Sequence, residues 1–322
     1  MEQQPAFADV IAARNRIRPY LARTPLHTYP AINDLIGTEV YIKHENYQPI
    51  GVFKVRGGVN LAAQLDGETR ARGLITCSTG NHGQSVAYAG WLFGLRVQIV
   101  VPENANPGKV AAMRGMGAEV IFHGARFDGA RLHCEALAEA HGIRYVHPGN
   151  EPHLIAGVGT YAVEMLEDQP ELDVILVPVS GGSGAAGTCI AAHAVRPAIR
   201  VIGAQSEASP AAYRSWQAKR LVEAPNQTLA EGLATGTAFA LPQAILWEQL
   251  DDFVLVPDAA IMQAMVWMVE RAHTLAEAAG ATPLAAAYTM RDQLRGKRVG
   301  VVCSGGNTSV AQLEAGARNL VL

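Results

Sequence analysis

Residues 174–187 read VILVPVSGGSGAAG. Four apolar residues are followed by a loop of serine and glycine, then by small residues. A wholly apolar run suits a strand covered on both faces, as in a parallel sheet. Glycine after it lets the backbone approach a ligand, and a helix opening there turns N–H groups toward an anion. The same order recurs at 73–83 (GLITCSTGNHG) and at 299–309 (VGVVCSGGNTS). Three strand–loop–helix units with ligand-ready loops predict an α/β protein whose site lies beyond the carboxyl ends of its strands.

Composition supports a folded protein. The chain has 322 residues, 49% hydrophobic and 17% charged, which suits two domains or one large α/β unit and excludes general disorder. A net charge of −3 provides no basic nucleic-acid footprint. No apolar run approaches the roughly 18–20 residues of a membrane span. The first thirty residues hold four arginines and two acids without a long apolar stretch, so no secretory signal is expected and a cytoplasmic location is. The four cysteines (Cys77, Cys134, Cys189, Cys303) are widely spaced and form no CxxC pair, so they are expected as small buried side chains rather than a zinc site.

Apolar β-branched runs predict strands at 39–43, 73–76, 96–101, 119–122, 174–177, 200–204, 252–256 and 299–303. Helical patterns fill 53–66, 82–93, 107–116, 126–141, 153–168, 184–195, 259–279 and 307–317. Alternation of the two implies a doubly wound fold with open, twisted, mostly parallel sheets. No flexible linker divides the chain, so a second domain has to be an insertion. The expected division is a small inserted α/β domain at 68–146 and a large domain formed by 1–67 and 147–322.

The 182–187 segment, GSGAAG, matches the GxGxxG dinucleotide fingerprint. That fingerprint requires an acid at the end of the next strand, where Gln205 stands, so a compact phosphate cradle fits better than a nicotinamide site. The chain has only five lysines. Lys43, Lys109, Lys219 and Lys297 are expected in polar or turn-like settings. Lys54 instead lies in GVFKVRGG (51–58), between apolar residues and glycines at a helix start. A partly desolvated lysine has a lowered pKa and attacks aldehydes. A reactive lysine beside a phosphate cradle meets the needs of pyridoxal phosphate held as a Schiff base.

With these motifs in view, the sequence resembles the serine/threonine dehydratase and serine racemase family of fold-type II pyridoxal-phosphate enzymes, which share the tryptophan synthase β-like architecture. The resemblance extends from Arg23-Thr24-Pro25-Leu26 to Ser304-Gly305-Gly306-Asn307. It includes Phe53-Lys54-Val55-Arg56-Gly57, Ser78-Thr79-Gly80-Asn81-His82-Gly83, His147-Pro148-Gly149-Asn150-Glu151-Pro152, the 180–184 loop and Glu231-Gly232-Leu233-Ala234. It implies that Lys54 carries the cofactor and shuttles the Cα proton. Phe53 packs near the ring, and Asn81 bonds the ring hydroxyl. Gly181, Gly182, Ser183 and Gly184 wrap the phosphate, and Ser304 meets the pyridine nitrogen. Glu277 and the Gly232 carbonyl line the far side of the ring. The 78–82 turn, with Ser78, Thr79, Asn81 and His82, takes the substrate carboxylate.

The implied reaction is β-elimination of water from an L-β-hydroxy amino acid, threonine or serine first, by a homodimer. Alternatives are a serine- or aspartate-type racemase, a dehydratase of 3-hydroxyaspartate or phenylserine, a β-replacement synthase and, from other classes, an NAD-dependent dehydrogenase or a non-catalytic metabolite-binding module. Three departures from the family pattern stand out. Ile50-Gly51-Val52 replaces the usual Thr-Gly-Ser or Thr-Gly-Ala. Thr79 stands where racemases carry serine. Gln205 replaces an acid that holds a divalent cation in many members, so no metal is expected. Arg126 and Arg131 are candidates for a second carboxylate contact; His44, His123, His133, His141, His147 and His273 are expected to be structural or on the surface.

Overall fold

The computed structural model describes residues 3–318. Ten strands form two sheets: β1 (Leu26–Thr28), β2 (Glu39–His44), β3 (Leu74–Cys77), β4 (Val97–Val101), β5 (Glu119–Phe122), β6 (Arg144–Tyr145), β7 (Val174–Pro178), β8 (Arg200–Ser206), β9 (Asp252–Val256) and β10 (Arg298–Cys303). The larger sheet runs β1-β2-β10-β7-β8-β9 and the smaller β5-β4-β3-β6. Every pairing is parallel except β1 with β2.

The apolar strands are apolar because both faces are covered. Along β7, Val174 and Leu176 point into one core with Ile261, Met265 and Leu284, whereas Ile175 and Val177 point into another with Val158, Tyr161 and Ile190. In the smaller sheet, Val97 and Ile99 pack with Val86 and Met113, and Val100 packs on the other face with Cys77 and Cys134. All four cysteines are buried and free.

Strand order decides where a ligand can sit. From β7 the chain winds outward through β8 and β9, then returns as β10 on the opposite side of β7. Connections therefore diverge above the carboxyl ends of β7 and β10, the usual crevice of an open α/β sheet. In the smaller sheet, β3 occupies the equivalent place between β4 and β6.

Several expectations need correction. Two strands that the periodicity misses, β1 and β6, have three and two residues, too short to show alternation. Helices Phe7–Ile17, Pro30–Ile36, Gly67–Arg72, Ala211–Ala218 and Ala240–Gln249 also went unforeseen. The expected helix 259–279 is two helices, Asp258–Ala272 and Ala278–Thr289. His273 takes a left-handed φ of 51°, and the Glu277 N–H donates to the Gly305 carbonyl at 3.0 Å, so a tertiary bond interrupts a sequence of good helix formers. The helix expected from 53 starts at Val55, and that expected from 307 starts at Val310. Lys43 lies within β2 and is wholly buried, so its setting is no turn, though its partners are polar.

The helix Pro152–Asp168 approaches Ser183–Val195 closely because glycines face each other. A Cβ on Gly187 would stand 2.7 Å from the Ile155 carbonyl and 2.9 Å from the Gly159 Cα. Replacing Gly187 by Val is expected to destabilise the protein by about 1–3 kcal/mol through overpacking. A denaturant midpoint equal to that of the parent protein would contradict this.

Candidate active site

Lys54 is the N-cap of the helix Val55–Ala63. Two clamps fix its backbone. The Ser85 hydroxyl donates to the Lys54 carbonyl at 2.6 Å, and the Phe53 N–H donates to the Ser304 carbonyl at 2.9 Å. The next tie is from the Gly306 N–H to the Gly51 carbonyl at 2.8 Å, with Gly51 at φ 68°. A side chain on Gly51 would be strained by that φ and would approach Asn307 Oδ1 to 2.8 Å. The glycine of the unusual Ile50-Gly51-Val52 segment is therefore required locally.

The Lys54 ammonium has few partners. Nζ lies 3.3 Å from Ser183 Oγ and 3.5 Å from the Pro148 carbonyl, and 5.4 Å from the Phe53 ring centroid. Desolvation lowers its pKa to about 8. A sizeable fraction of neutral amine is then present near neutral pH, as a nucleophile requires.

Ser183 belongs to the loop after β7, where the next helix spans Ser183–Val195. The N–H groups of Gly181, Gly182, Ser183 and Gly184 have no acceptor among the described residues. Gly182 has φ 93°. A Cβ on Gly181 would overlap the Phe239 ring, and one on Gly184 would sit 3.1 Å from Phe53 Cε2. Four unpaired donors at a helix N-terminus, walled by two phenylalanines, fit a phosphate group. Ser304, 3% exposed, presents a hydroxyl with no hydrogen-bond partner among the described residues. This donor set fits pyridoxal phosphate: an amine for the aldehyde, N–H groups for the phosphate and a hydroxyl for a ring nitrogen.

The 78–82 turn follows β3 and leads into the helix Asn81–Phe93. Ser78 Oγ accepts from the Gly80 and Gly83 N–H groups at 3.3 and 3.0 Å. The N–H groups of Thr79, Asn81 and His82 lack acceptors among the described residues and remain open to a carboxylate. The His82 ring is committed elsewhere: Nε2 lies 3.0 Å from Thr76 Oγ1 and 3.1 Å from the Val146 carbonyl, and burial lowers its pKa to about 3. His82 can therefore offer its N–H, not its imidazole, to a ligand.

Asn81 Nδ2 donates to Glu277 Oε1 at 2.7 Å, and Asn307 Nδ2 donates to Asn81 Oδ1 at 2.9 Å and to the Ile50 carbonyl at 3.0 Å. A Cβ on Gly232 would lie 3.7 Å from Glu277 Oε1, so Gly232 and Glu277 are neighbours. Burial raises the Glu277 pKa to about 7, partly opposed by the Asn81 hydrogen bond. A second crossing joins Lys109, beside Gly80, to Glu231.

The structure thus brings together Phe53, Lys54, the 181–184 loop, Ser304, Asn81, Gly232 and Glu277. Other candidates are committed elsewhere. Arg131 Nη1 bonds Glu135 Oε1 at 2.8 Å on the same helix. Gln205 Oε1 accepts from the Tyr213 N–H at 3.0 Å. No cluster of three His, Cys, Asp or Glu side chains suited to a metal occurs among the described residues. His147 Nδ1 accepts from the Asn150 N–H at 2.9 Å and shapes the loop beside Lys54. Asn307, Phe239 and the Lys109–Glu231 pair were not foreseen. Asn307 was signalled by its place in Ser-Gly-Gly-Asn, whereas Phe239 has no local signal.

Comparisons with known proteins point to the same cofactor. A family model described as pyridoxal-phosphate dependent enzyme matches residues 17–305. The chain is 37% identical over 309 residues to a protein of Thermotoga maritima named L-threonine ammonia-lyase, covering 95% of this chain and 76% of that one. It is 34% identical to the L-threo-3-hydroxyaspartate ammonia-lyase of Saccharomyces cerevisiae, covering 95% and 94%. The crystal structure of serine racemase from Dictyostelium discoideum superposes with a TM-score of 0.90 at 36% identity, covering 95% and 99%.

The raised carboxyl pKa of Glu277 has a signed consequence. Between the ordinary carboxylate pKa of 4.5 and about 7 the folded protein binds more protons at Glu277 than the unfolded chain. Stability from this group is present at low pH and is lost as pH rises through that window. Glu277→Gln removes the dependence, so the variant gains stability relative to the parent protein as pH rises from 5 to 8, the upper limit standing about one unit above the window. Denaturant midpoints that run parallel over this range would refute it.

Proposed function

This chain belongs to the family of pyridoxal-phosphate-dependent enzymes, and from that premise we propose that it eliminates water from an L-β-hydroxy amino acid, giving a 2-keto acid and ammonia. Threonine and serine are the first substrates to test. The observation that carries the reading is the Lys54 amine, 3.3 Å from the Ser183 hydroxyl, at the edge of four unpaired N–H donors. Relatives named L-threonine ammonia-lyase, 37% and 38% identical over nearly the whole chain, support it.

Each site residue then has a role. Gly181, Gly182, Ser183 and Gly184 would hold the phosphate with their free N–H groups, and Lys54 Nζ would hold the aldehyde carbon of the cofactor. When bound, the cofactor supplies the electron sink that acidifies the substrate Cα–H. Lys54 Nζ would take the Cα proton. The free N–H groups of Thr79, Asn81 and His82 hold the substrate carboxylate and orient Cα toward that amine. The Ser304 hydroxyl donates a hydrogen bond without giving up its proton, which keeps the sink modest and suits loss of the β-hydroxyl. Asn81 and Glu277 border the ring. The elements of water would leave across Cα–Cβ, and hydrolysis of the resulting imine would take up one water and release the 2-keto acid and ammonia.

Racemisation is the second reading. Thr79 has a hydroxyl with no hydrogen-bond partner among the described residues, on the turn where racemases carry serine. The threonine methyl crowds that position, which favours elimination. The reading further takes 68–146 as the inserted domain and the protein as a cytosolic homodimer. Four free, buried cysteines suit a reducing compartment. No helix among the described residues is long and apolar enough to cross a membrane.

The first test is the visible absorption of purified protein before and after L-threonine, with assay of the keto acid. A band that shifts with substrate and is absent from Lys54→Ala, together with keto acid, is the expected result. No band after reconstitution with pyridoxal phosphate would overturn the reading. Loading of the cofactor-free protein should quicken as pH rises through about 8, where the Lys54 amine loses its proton. A chelator should leave activity largely intact; strong loss would show that the Gln205 segment had been misread.

A further inference from the structure

Two residues beyond Lys54, Arg56 is buried and carries a saturated guanidinium. Nε and Nη2 donate to the two Glu45 carboxylate oxygens at 2.7 and 2.8 Å. Nη1 and Nη2 donate to the two Glu164 oxygens at 2.7 and 2.8 Å, and Nη1 also reaches Thr160 Oγ1 at 3.1 Å. Every guanidinium N–H is engaged, in two bidentate forks that fix its plane as well as its position. Lys43 Nζ closes the cluster, donating to Glu164 Oε2 at 2.6 Å and to the Thr24 carbonyl at 2.8 Å. Two cations and two anions cancel.

Glu164 reaches the other half of the site through its own helix. Three residues before it, the Tyr161 hydroxyl donates to the Gly184 carbonyl at 3.1 Å and bonds Thr188 Oγ1 at 2.7 Å. The Tyr161 ring meets Phe53 edge-on, with centroids 6.1 Å apart. The helix Pro152–Asp168 thus grips the lysine segment at Glu164 and the phosphate loop at Tyr161.

We propose that Glu164 is a positioning residue that, through Arg56, sets the Lys54 segment at a fixed distance and angle from the Gly181–Gly184 N–H groups. The proposal rests on the functional reading above. Stability alone does not explain the cluster, because buried ion pairs are often no better than well-packed apolar residues of the same size. Geometric definition does: both forks must form together, which leaves the helix start one arrangement.

The test uses the cofactor-loaded protein and three variants. Glu164→Gln keeps the shape and breaks the charge balance. Lys43→Met combined with Glu164→Gln restores neutrality without restoring the fork. Glu164→Asp keeps the charge and shortens the arm. The readouts are the denaturant midpoint, kcat and KM for L-threonine, and the visible circular dichroism of the bound cofactor, which reports its orientation. The double variant is expected to recover most of the midpoint lost in Glu164→Gln. Its kcat should stay about 10- to 100-fold down with a much smaller change in KM, as misplacement of a reacting group predicts. Its circular dichroism should differ from that of the parent. Glu164→Asp should show the same kcat loss and altered dichroism while remaining folded. Parent-like kcat and dichroism in either folded variant would overturn the proposal, as would recovery of kcat in step with the midpoint. A parent protein with no visible band would instead defeat the functional reading, so the two failures are distinct.

Discussion

The site depends on β10 lying between β2 and β7. Its parallel register with β2 pairs Cys303 with His44, and just beyond the strand the lysine segment meets it in an isolated antiparallel bridge between Val52 and Gly305, with the Phe53 N–H donating to the Ser304 carbonyl. On its other side, β10 pairs with β7, whose loop carries the four unpaired N–H groups. One central strand thereby sets the lysine, the serine hydroxyl and the phosphate cradle side by side. Moving β10 to an edge would scatter all three, whatever their sequences.

Parallel strands make this possible at modest cost. Their carboxyl ends point the same way, so each following helix starts on the same side and presents unsatisfied N–H groups there. Glycine is needed only where backbones or rings crowd that side. Gly181 faces Phe239 and Gly51 adopts a left-handed φ against Asn307. The second sheet completes the cleft. Asn81 follows β3, and its bonds to Glu277 and Asn307 cross to the larger sheet. A buried carboxyl whose pKa burial lifts toward neutrality thus stands at the junction of the two sheets.

Much of this was legible in residue order. The all-apolar runs at 174–177 and 299–303 announced covered parallel strands, and both lie within observed strands. The lysine motif and the three glycine loops were readable because each has a local cause: a loop that turns, a helix that begins, an amine set between apolar residues and glycines. Short pieces were not legible. β6 has two residues, and two residues have no period. The 259–279 segment reads as one helix because its alanines and methionines favour one; it breaks at the left-handed His273, and the bond from Glu277 to Gly305 joins the next helix start to a distant position. Lys43 shows the same limit. It stands between Ile42 and His44, with no local sign of a partner, yet its ammonium is buried because Glu164, 121 positions later, meets it.

The sequence by itself determined the α/β class, the strand–loop–helix units and the residue types able to hold a phosphorylated aldehyde, since period, glycine placement and desolvation act over a few neighbouring residues. The tertiary structure alone decided which loops share a cleft and how Arg56 is gripped. It also decided that the His82 ring is spent on Thr76 and Val146, and that Glu277 titrates near neutrality. Those properties come from strand order and burial. Both are set by contacts between segments far apart in the chain, and no local pattern encodes them.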